Sequence, residues 1–494
     1  MTLKRIILIV LTLLALAYLG LSLVGSWTQP QIQSRLELYQ TNLVLHGSEW
    51  RPDRGEGEQL LTLRDNIIGE NATRAALDQY QTAIASTEEN WRRVRARELP
   101  PPATVQKLEQ SLDELKLRSG IIRAELGKTE EAIATWKSLP VQNGVSATAK
   151  TAPVLVGLWS EPPRLLPDAE PILRQNLEGW FRYQTLARLY SLQERQEALA
   201  ELNAREQEIA EEAVYKLAIV SAIPGLGLVA GIILLIILGI QWLINRKEAI
   251  LATNSDVEWS VPWDGETIAQ VFVLGFFLIG QLAIPILFQI IGLKPPAGDA
   301  RLQAFYVLLT YVLLVCGGVG VLYLSLKPFF PLPEGWFRFK FRDNWIFWGL
   351  GGYCVALPLV ILVSLINQQL WDGRGGSNPI LPIALENRDG LALAIFFVTA
   401  SIAAPVFEEL MFRGFLLPSL TRYLPLWGAI AASGLLFAAV HLSISEVLPL
   451  FVLGMVLGFV YTRSRNLLAP MLLHSLWNSG TLLSLYLLGS AGSS

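Results

Sequence analysis

Charge is what this sequence has least of. Only 16% of its 494 residues are Asp, Glu, Lys or Arg, while 52% are hydrophobic. An ordinary soluble globule carries about a quarter charged residues, so the balance excludes such a globule for most of the length and points to a bilayer. The 39 basic and 42 acidic residues cancel to a net charge of −3. That removes the global positive field that nucleic acid binding would need. Cysteine is nearly absent. Cys316 and Cys354 both lie in apolar runs, say nothing about a disulfide framework and read as small core residues. Histidine is as scarce, with three in the chain. There is no His-Glu-x-x-His zinc motif. There is also no inverted repeat relating two halves, which argues against a transporter.

What is present divides the chain into four parts. Residues 1–25 open with Lys4-Arg5 and continue as an apolar run from Ile6 to about Val24. A cleaved signal peptide is the rival reading, with small residues at Gly25-Ser26. The run has the length of a full span, which favours an uncleaved anchor. Residues 26–215 are charged, rich in Glu, Gln, Arg, Leu and Ala, and apolar at helical spacing. They read as a helical soluble domain. Gly120, Ala124, Gly127, Ala132 and Trp136 fall where a tetratricopeptide repeat puts packing residues, and Tyr190 and Ala198 give a fainter echo. A generic helical hairpin explains the same residues. From residue 217 the chain stays apolar, with accessory helices over 217–340 and a last group over 341–490. Eight spans are expected here, about 217–244, 268–293, 303–326, 344–369, 391–421, 427–444, 447–462 and 467–488. With the first anchor this is an all-α polytopic bundle of about nine spans, with the soluble helical domain inserted.

Lys and Arg set the expected orientation. With a cytoplasmic N-terminus, Lys4, Arg5, Arg246, Lys247, Lys327, Arg338, Lys340, Arg342, Arg422, Arg463 and Arg465 fall inside. Only Lys294, Arg301, Arg374 and Arg388 fall in outer loops of the membrane part. Residues 26–215 are then extracytoplasmic. Asp372-Gly-Arg-Gly-Gly-Ser-Asn reads as an outer loop, and Gly225, Gly227 and Gly231 read as helix-packing residues.

Ionisable groups at membrane depth are costly and therefore functional suspects. Glu408, Glu409 and Arg413 share one expected span, His441 lies in the next, and His474 and Asn478 lie in the last. Glu408 is 14 residues before Arg422 and His441 is 14 after Trp427. On antiparallel helices both lie about 20 Å from the same end and can meet. Glu409 and Arg413 form an i,i+4 pair in the favourable order. Glu408 points about 100° away, free to face a cavity and hold a water as a general base. His441 is placed to orient that water, and His474 with Asn478, one turn apart, to donate to an oxyanion.

These residues fall in three motifs: Glu408-Glu409-Leu-Met-Phe-Arg413, Phe437-Ala-Ala-Val-His441 and His474-Ser-Leu-Trp-Asn478. In that order, each on its own span, they resemble the CAAX prenyl protease and bacteriocin-processing family of intramembrane endopeptidases. The resemblance covers roughly residues 345–490 and says nothing about 26–215. It implies that the first glutamate and the two histidines carry the catalysis and that the asparagine assists. It leaves two mechanisms open. One uses a glutamate-activated water without a cofactor. The other holds a zinc ion with Glu408, His441 and His474. The first is favoured, because an asparagine suits an oxyanion better than a metal's ligand sphere. The expected function is an intramembrane endopeptidase acting on a membrane-associated peptide or protein, with residues 26–215 available to a protein partner. The alternative is a non-catalytic scaffold or immunity factor of the same fold.

Overall fold

A computed structural model describes all residues except 1, 28, 30–32, 53–56, 97–101, 141–145, 254–258, 297, 372–374, 378–388 and 490–494. The described residues are helical throughout and contain no strand. The chain divides into two compact units. One comprises Met1–Ile32 with Ile223–Tyr486, and the other comprises Gln33–Ala222 with Leu487–Ser494. The N-terminal anchor therefore belongs to the membrane unit, and the soluble domain is an insertion behind it.

In the soluble unit, Trp136, Trp180, Phe181, Tyr80 and Tyr190 fill a core closed to solvent. The residues suspected of a repeat form a helical hairpin, Pro102–Glu125 with Thr129–Lys137. Its turn depends on Gly127 in the left-handed region, φ +77°. Gly120 lies under the Trp136 indole, where a side chain would collide with the ring. His46 is also structural: its Nδ1 meets Glu206 Oε1 at 2.6 Å, both side chains buried.

In the membrane unit seven helices are long and apolar enough to span a bilayer: Leu3–Ser26, Gln196–Glu248, Gly265–Ile290, Ala300–Phe329, Trp345–Trp371, Gly390–Leu420 and Ile444–Ser464. The other two of the nine expected spans are helices of a different kind. Leu426–Ala439 has 14 residues, too short to cross. Leu468–Gly489 has 22 but is diluted by His474, Ser475, Asn478 and Ser479. The polar dilution of the last helix includes His474 and Asn478 of the candidate site. Large apolar side chains such as Leu226, Ile244 and Phe347 are widely exposed on this unit, as expected when lipid is the solvent. For the same reason the core reading of the cysteines fails. Cys316 is exposed and Cys354 only half-buried.

The charge asymmetry has a structural counterpart. Arg5 Nε bonds Glu266 at 2.8 Å, Tyr423 Oη accepts from Gly265 N, and Arg422 donates to Trp263 O. Trp336 donates to Ser260 O, the Arg465 guanidinium lies over the Trp259 ring, and Asn466 bonds Lys340 O. Residues assigned to one side by the basic-residue rule thus share one rim. Arg301 pairs instead with Asp389, at the starts of two helices elsewhere. Arg374, Arg388 and most of the 372–378 loop lie outside the described residues.

The three suspected packing glycines separate. A Cβ on Gly231 would strike the Cys354 carbonyl of the helix Trp345–Trp371, and one on Gly227 would meet only the flexible end of Leu357 at 2.5 Å. Nothing lies within 4 Å of a Cβ on Gly225. Gly231→Ala is therefore expected to destabilise the purified protein by about 1–3 kcal/mol through overpacking. Gly225→Ala should leave the melting temperature unchanged or raise it slightly. Equal melting temperatures for the two variants would show that this helix does not pack as described.

Candidate active site

The helix Gly390–Leu420 carries both glutamates, and its winding is irregular on either side of them. Thr399–Ala403 and Leu410–Leu416 are wide, π-type turns, which interrupt helices often where function resides. Sequence explains the first. Pro405 has no N–H, so carbonyls one turn before it lose their helical partner. In hydrocarbon those carbonyls need another donor. Asn478 Nδ2 supplies one to Ala400 O at 2.7 Å, and Ser475 Oγ supplies one to Ser401 O at 2.5 Å. The broken turn thereby fastens the last helix, Leu468–Gly489, against the glutamates.

At the centre is a cation buried completely. Arg413 and Glu409 are both closed to solvent, and Arg413 Nη1 bonds Glu409 Oε1 at 2.8 Å. Arg413 Nη2 reaches Gly454 O at 3.3 Å, and the guanidinium lies 4.4 Å from the Phe437 ring centre. A glycine is required at 454. A Cβ there would meet Gly434 Cα at 2.8 Å and Arg413 Nη2 at 3.4 Å. The ion pair anticipated from the i,i+4 spacing is thus present. Its third member was assigned elsewhere from sequence: His474 Nδ1 lies 2.8 Å from the same Glu409 Oε1.

Glu408 has a different environment. Its Oε1 has a long contact of 3.5 Å from the Tyr311 hydroxyl. Its Oε2 is buried, has no hydrogen-bond partner among the described residues, and lies 4.0 Å from His474 Nε2. Tyr311 was not found from sequence. It stands on the helix Ala300–Phe329, 97 positions from Glu408. A hydroxyl in an apolar span was the only signal available.

His441 was expected within a span. The helix Leu426–Ala439 ends before it, and His441 occupies the turn that follows. Leu442 at φ +59° turns the chain there, and a left-handed residue of this kind ends a helix. His441 Nδ1 lies 2.7 Å from Phe437 O. The Phe437 ring is the common neighbour of both histidines, with centroids 5.0 Å from His441 and 5.6 Å from His474.

The hydrogen bonds assign the tautomers. A carbonyl and a carboxylate only accept, so Nδ1 carries the proton in His441 and His474 alike. When neutral, each ring presents Nε2 as an acceptor. His474 can donate to an oxyanion only as an imidazolium, and Asn478 has one amide hydrogen committed to Ala400 O. The oxyanion role expected for these two is therefore conditional on charge for one and halved for the other. Among the described residues no group of three His, Cys, Asp or Glu side chains stands in a metal-holding arrangement.

Removing Glu409 leaves Arg413 unpaired in hydrocarbon. Glu409→Gln is expected to cost about 3–5 kcal/mol of stability, read as lost abundance or melting temperature. Glu409→Gln combined with Arg413→Met should recover part of it by removing both charges together. No recovery in the double variant would mean that the pair does not stabilise the fold as a pair.

Three comparisons bear on this geometry. The family model described as type II CAAX prenyl endopeptidase, Rce1-like, matches residues 390–480. The chain is 24% identical over 219 residues to the putative membrane peptidase YdiL of Bacillus subtilis (strain 168), a match covering 42% of this chain and 85% of that protein. It is 26% identical over 137 residues to the membrane-embedded CAAX protease MroQ of Staphylococcus aureus (strain USA300), covering 26% of this chain and 54% of that protein. No solved structure matches the chain. The matched segment holds every charged residue of the buried cluster, so residues 390–480 resemble an Rce1-like CAAX protease domain within a multi-pass membrane protein.

Proposed function

We propose that the membrane unit hydrolyses peptide bonds of a membrane-associated peptide or protein, using a water activated by Glu408. One observation carries this reading. Of two adjacent glutamates, Glu409 is tied through Oε1 to both Arg413 and His474; each keeps a buried, unpartnered Oε2, but it is Glu408 Oε2 that lies 4.0 Å from His474 Nε2, a nitrogen left to accept. Two acceptors at that separation suit one water. An oxygen about 2.8 Å from each would span an angle of about 90° between them, close to what the two hydrogens of one water can serve.

The steps follow from those roles. Glu408 takes one proton as the water oxygen bonds to the scissile carbonyl carbon. The free amide hydrogen of Asn478, and His441 Nε2 in the imidazolium form, donate to the resulting oxyanion. Glu408 then passes its proton to the departing amine as the C–N bond breaks. Tyr311 lies against the other oxygen of Glu408 and orients it. No step is routed through a metal. The soluble unit is proposed to choose partners or substrates, since the whole cluster lies outside it.

Glu408→Gln keeps the shape and removes the base. The variant should accumulate and melt like the parent while cleavage of a susceptible peptide falls about two orders of magnitude or more. A chelator should leave the parent's rate unchanged. Full activity in Glu408→Gln would leave only the scaffold reading, and abolition by chelator with recovery on zinc would restore the metal mechanism.

The orientation proposed is N-terminus inside, with residues 26–215 extracytoplasmic, as the shared rim of basic residues supports. Single cysteines placed at positions 120 and 335 test it. Position 335 should label only after the membrane is permeabilised and position 120 without it; the reverse pattern inverts the topology.

A further inference from the structure

The end of the N-terminal helix meets the loop that follows His441. Ile444 N donates to Ser26 Oγ at 3.0 Å, and Ser26 Oγ donates in turn to Leu23 O at 2.7 Å. Gly375 N and Gly376 N both donate to Gln29 O, at 3.0 and 3.1 Å. The same two glycines accept from the loop. Ser443 Oγ bonds Gly375 O at 3.1 Å and Ser445 Oγ bonds Gly376 O at 2.7 Å. Asn367 Nδ2, from the helix Trp345–Trp371, bonds Ser445 O at 2.6 Å. Ser26, Asn367, Ser443 and Ser445 are all buried. Three stretches distant in sequence, one holding Ser26 and Gln29, one Asn367, Gly375 and Gly376, and one Ser443 to Ser445, are thus joined by a polar knot with little access to water.

The knot has something to hold. Leu442, directly after His441, has φ +59°, a region that a bulky side chain adopts only where its surroundings impose it. The glycines are fitted to the same purpose. Gly375 has φ +108°, and a Cβ there would meet Ser445 Cβ at 2.5 Å and Ser445 N at 2.9 Å. The loop then enters the helix Val447–Ser464, whose Gly454 carbonyl receives Arg413.

We infer that Ser26 is a positioning residue for the reaction, and that the N-terminal helix is a working part of the catalytic unit: through Ile444 it holds the strained turn at Leu442 and so fixes His441. This rests on the reading of His441 as part of the site. The hydroxyl read from sequence as a feature of a cleavage site is instead spent inside the fold.

The test uses the full chain, purified, as Ser26→Ala, Leu442→Gly and the double variant. Glycine adopts a positive φ without help, so it should make the clamp dispensable. Ser26→Ala is expected to lower kcat roughly 10- to 100-fold with little change in KM, as for a misplaced catalytic group, and to speed amide exchange at residues 442–446. In the Leu442→Gly background the same Ser26→Ala change should cost little. An equal loss of kcat in both backgrounds would show Ser26 to be structural only, and unchanged exchange at 442–446 would show that no clamp exists. The exchange arm needs no activity. If the parent shows no Glu408-dependent cleavage, the functional reading fails, and the rate of His441 modification by diethyl pyrocarbonate replaces kcat. That rate should shift in Ser26→Ala and return in the double variant; no shift overturns the inference.

Discussion

A guanidinium cannot sit in hydrocarbon without an anion, and Arg413 is wholly buried in this one. The rest of the site is arranged around that requirement. Glu409 answers it from one turn away, and its Oε1 is shared by Arg413 Nη1 and His474 Nδ1, each at 2.8 Å. The sharing fixes the tautomer of His474 and turns its Nε2 toward Glu408. Phe437 lies against the cation, and Gly454 contributes a carbonyl that only a residue without a side chain could bring so near. Four helices that are separate in sequence are thereby tied to one charge.

The same economy of polar groups shapes the backbone. Pro405 removes a donor from the glutamate helix, and the carbonyls freed by it become acceptors for Asn478 and Ser475. In water such a defect would be filled by solvent. In a bilayer it must be filled by a neighbour, so the proline that disturbs one helix also specifies where the last helix docks. Wide turns on both sides of Glu408 and Glu409 are the geometric record of that exchange.

Legibility in the sequence followed from how local each relation is. The membrane class, the all-helical fold and the Glu409–Arg413 pair rest on composition and on spacings of a few residues, and these could be read. The share of Glu409 taken by His474 joins positions 65 apart, and no spacing rule reaches that far. Tyr311 was silent for the same reason, since a hydroxyl in an apolar run has many ordinary explanations, and Ser26 offered only the small side chain of a rival cleavage site. His441 was placed inside a helix because its neighbours are apolar. The helix ends at Ala439, and the chain turns just after His441 at a left-handed Leu442, a conformation no leucine announces. The count of nine spans treated helices as uniformly apolar, whereas the two that fall outside the spanning set, Leu426–Ala439 and Leu468–Gly489, are the short one and the one that carries the polar residues.

Two adjacent glutamates invite the question of why the roles proposed for them could not be exchanged. A general base alternates between anion and neutral acid in every turnover. Were Glu409 the base, each proton it accepted would strip Arg413 of its counter-charge inside a medium where an unpaired ion costs about 3–5 kcal/mol, and that cost would be added to the barrier. Glu408 carries no such obligation. Among the described residues its one neighbour within hydrogen-bonding reach is the Tyr311 hydroxyl, which can donate to a carboxylate and accept from a carboxylic acid. Either protonation state of Glu408 is therefore tolerated, whereas only one state of Glu409 is. The asymmetry comes from a single position along a helix, about 100° of rotation, which turns one carboxylate toward a fixed cation and leaves the other free to change its charge.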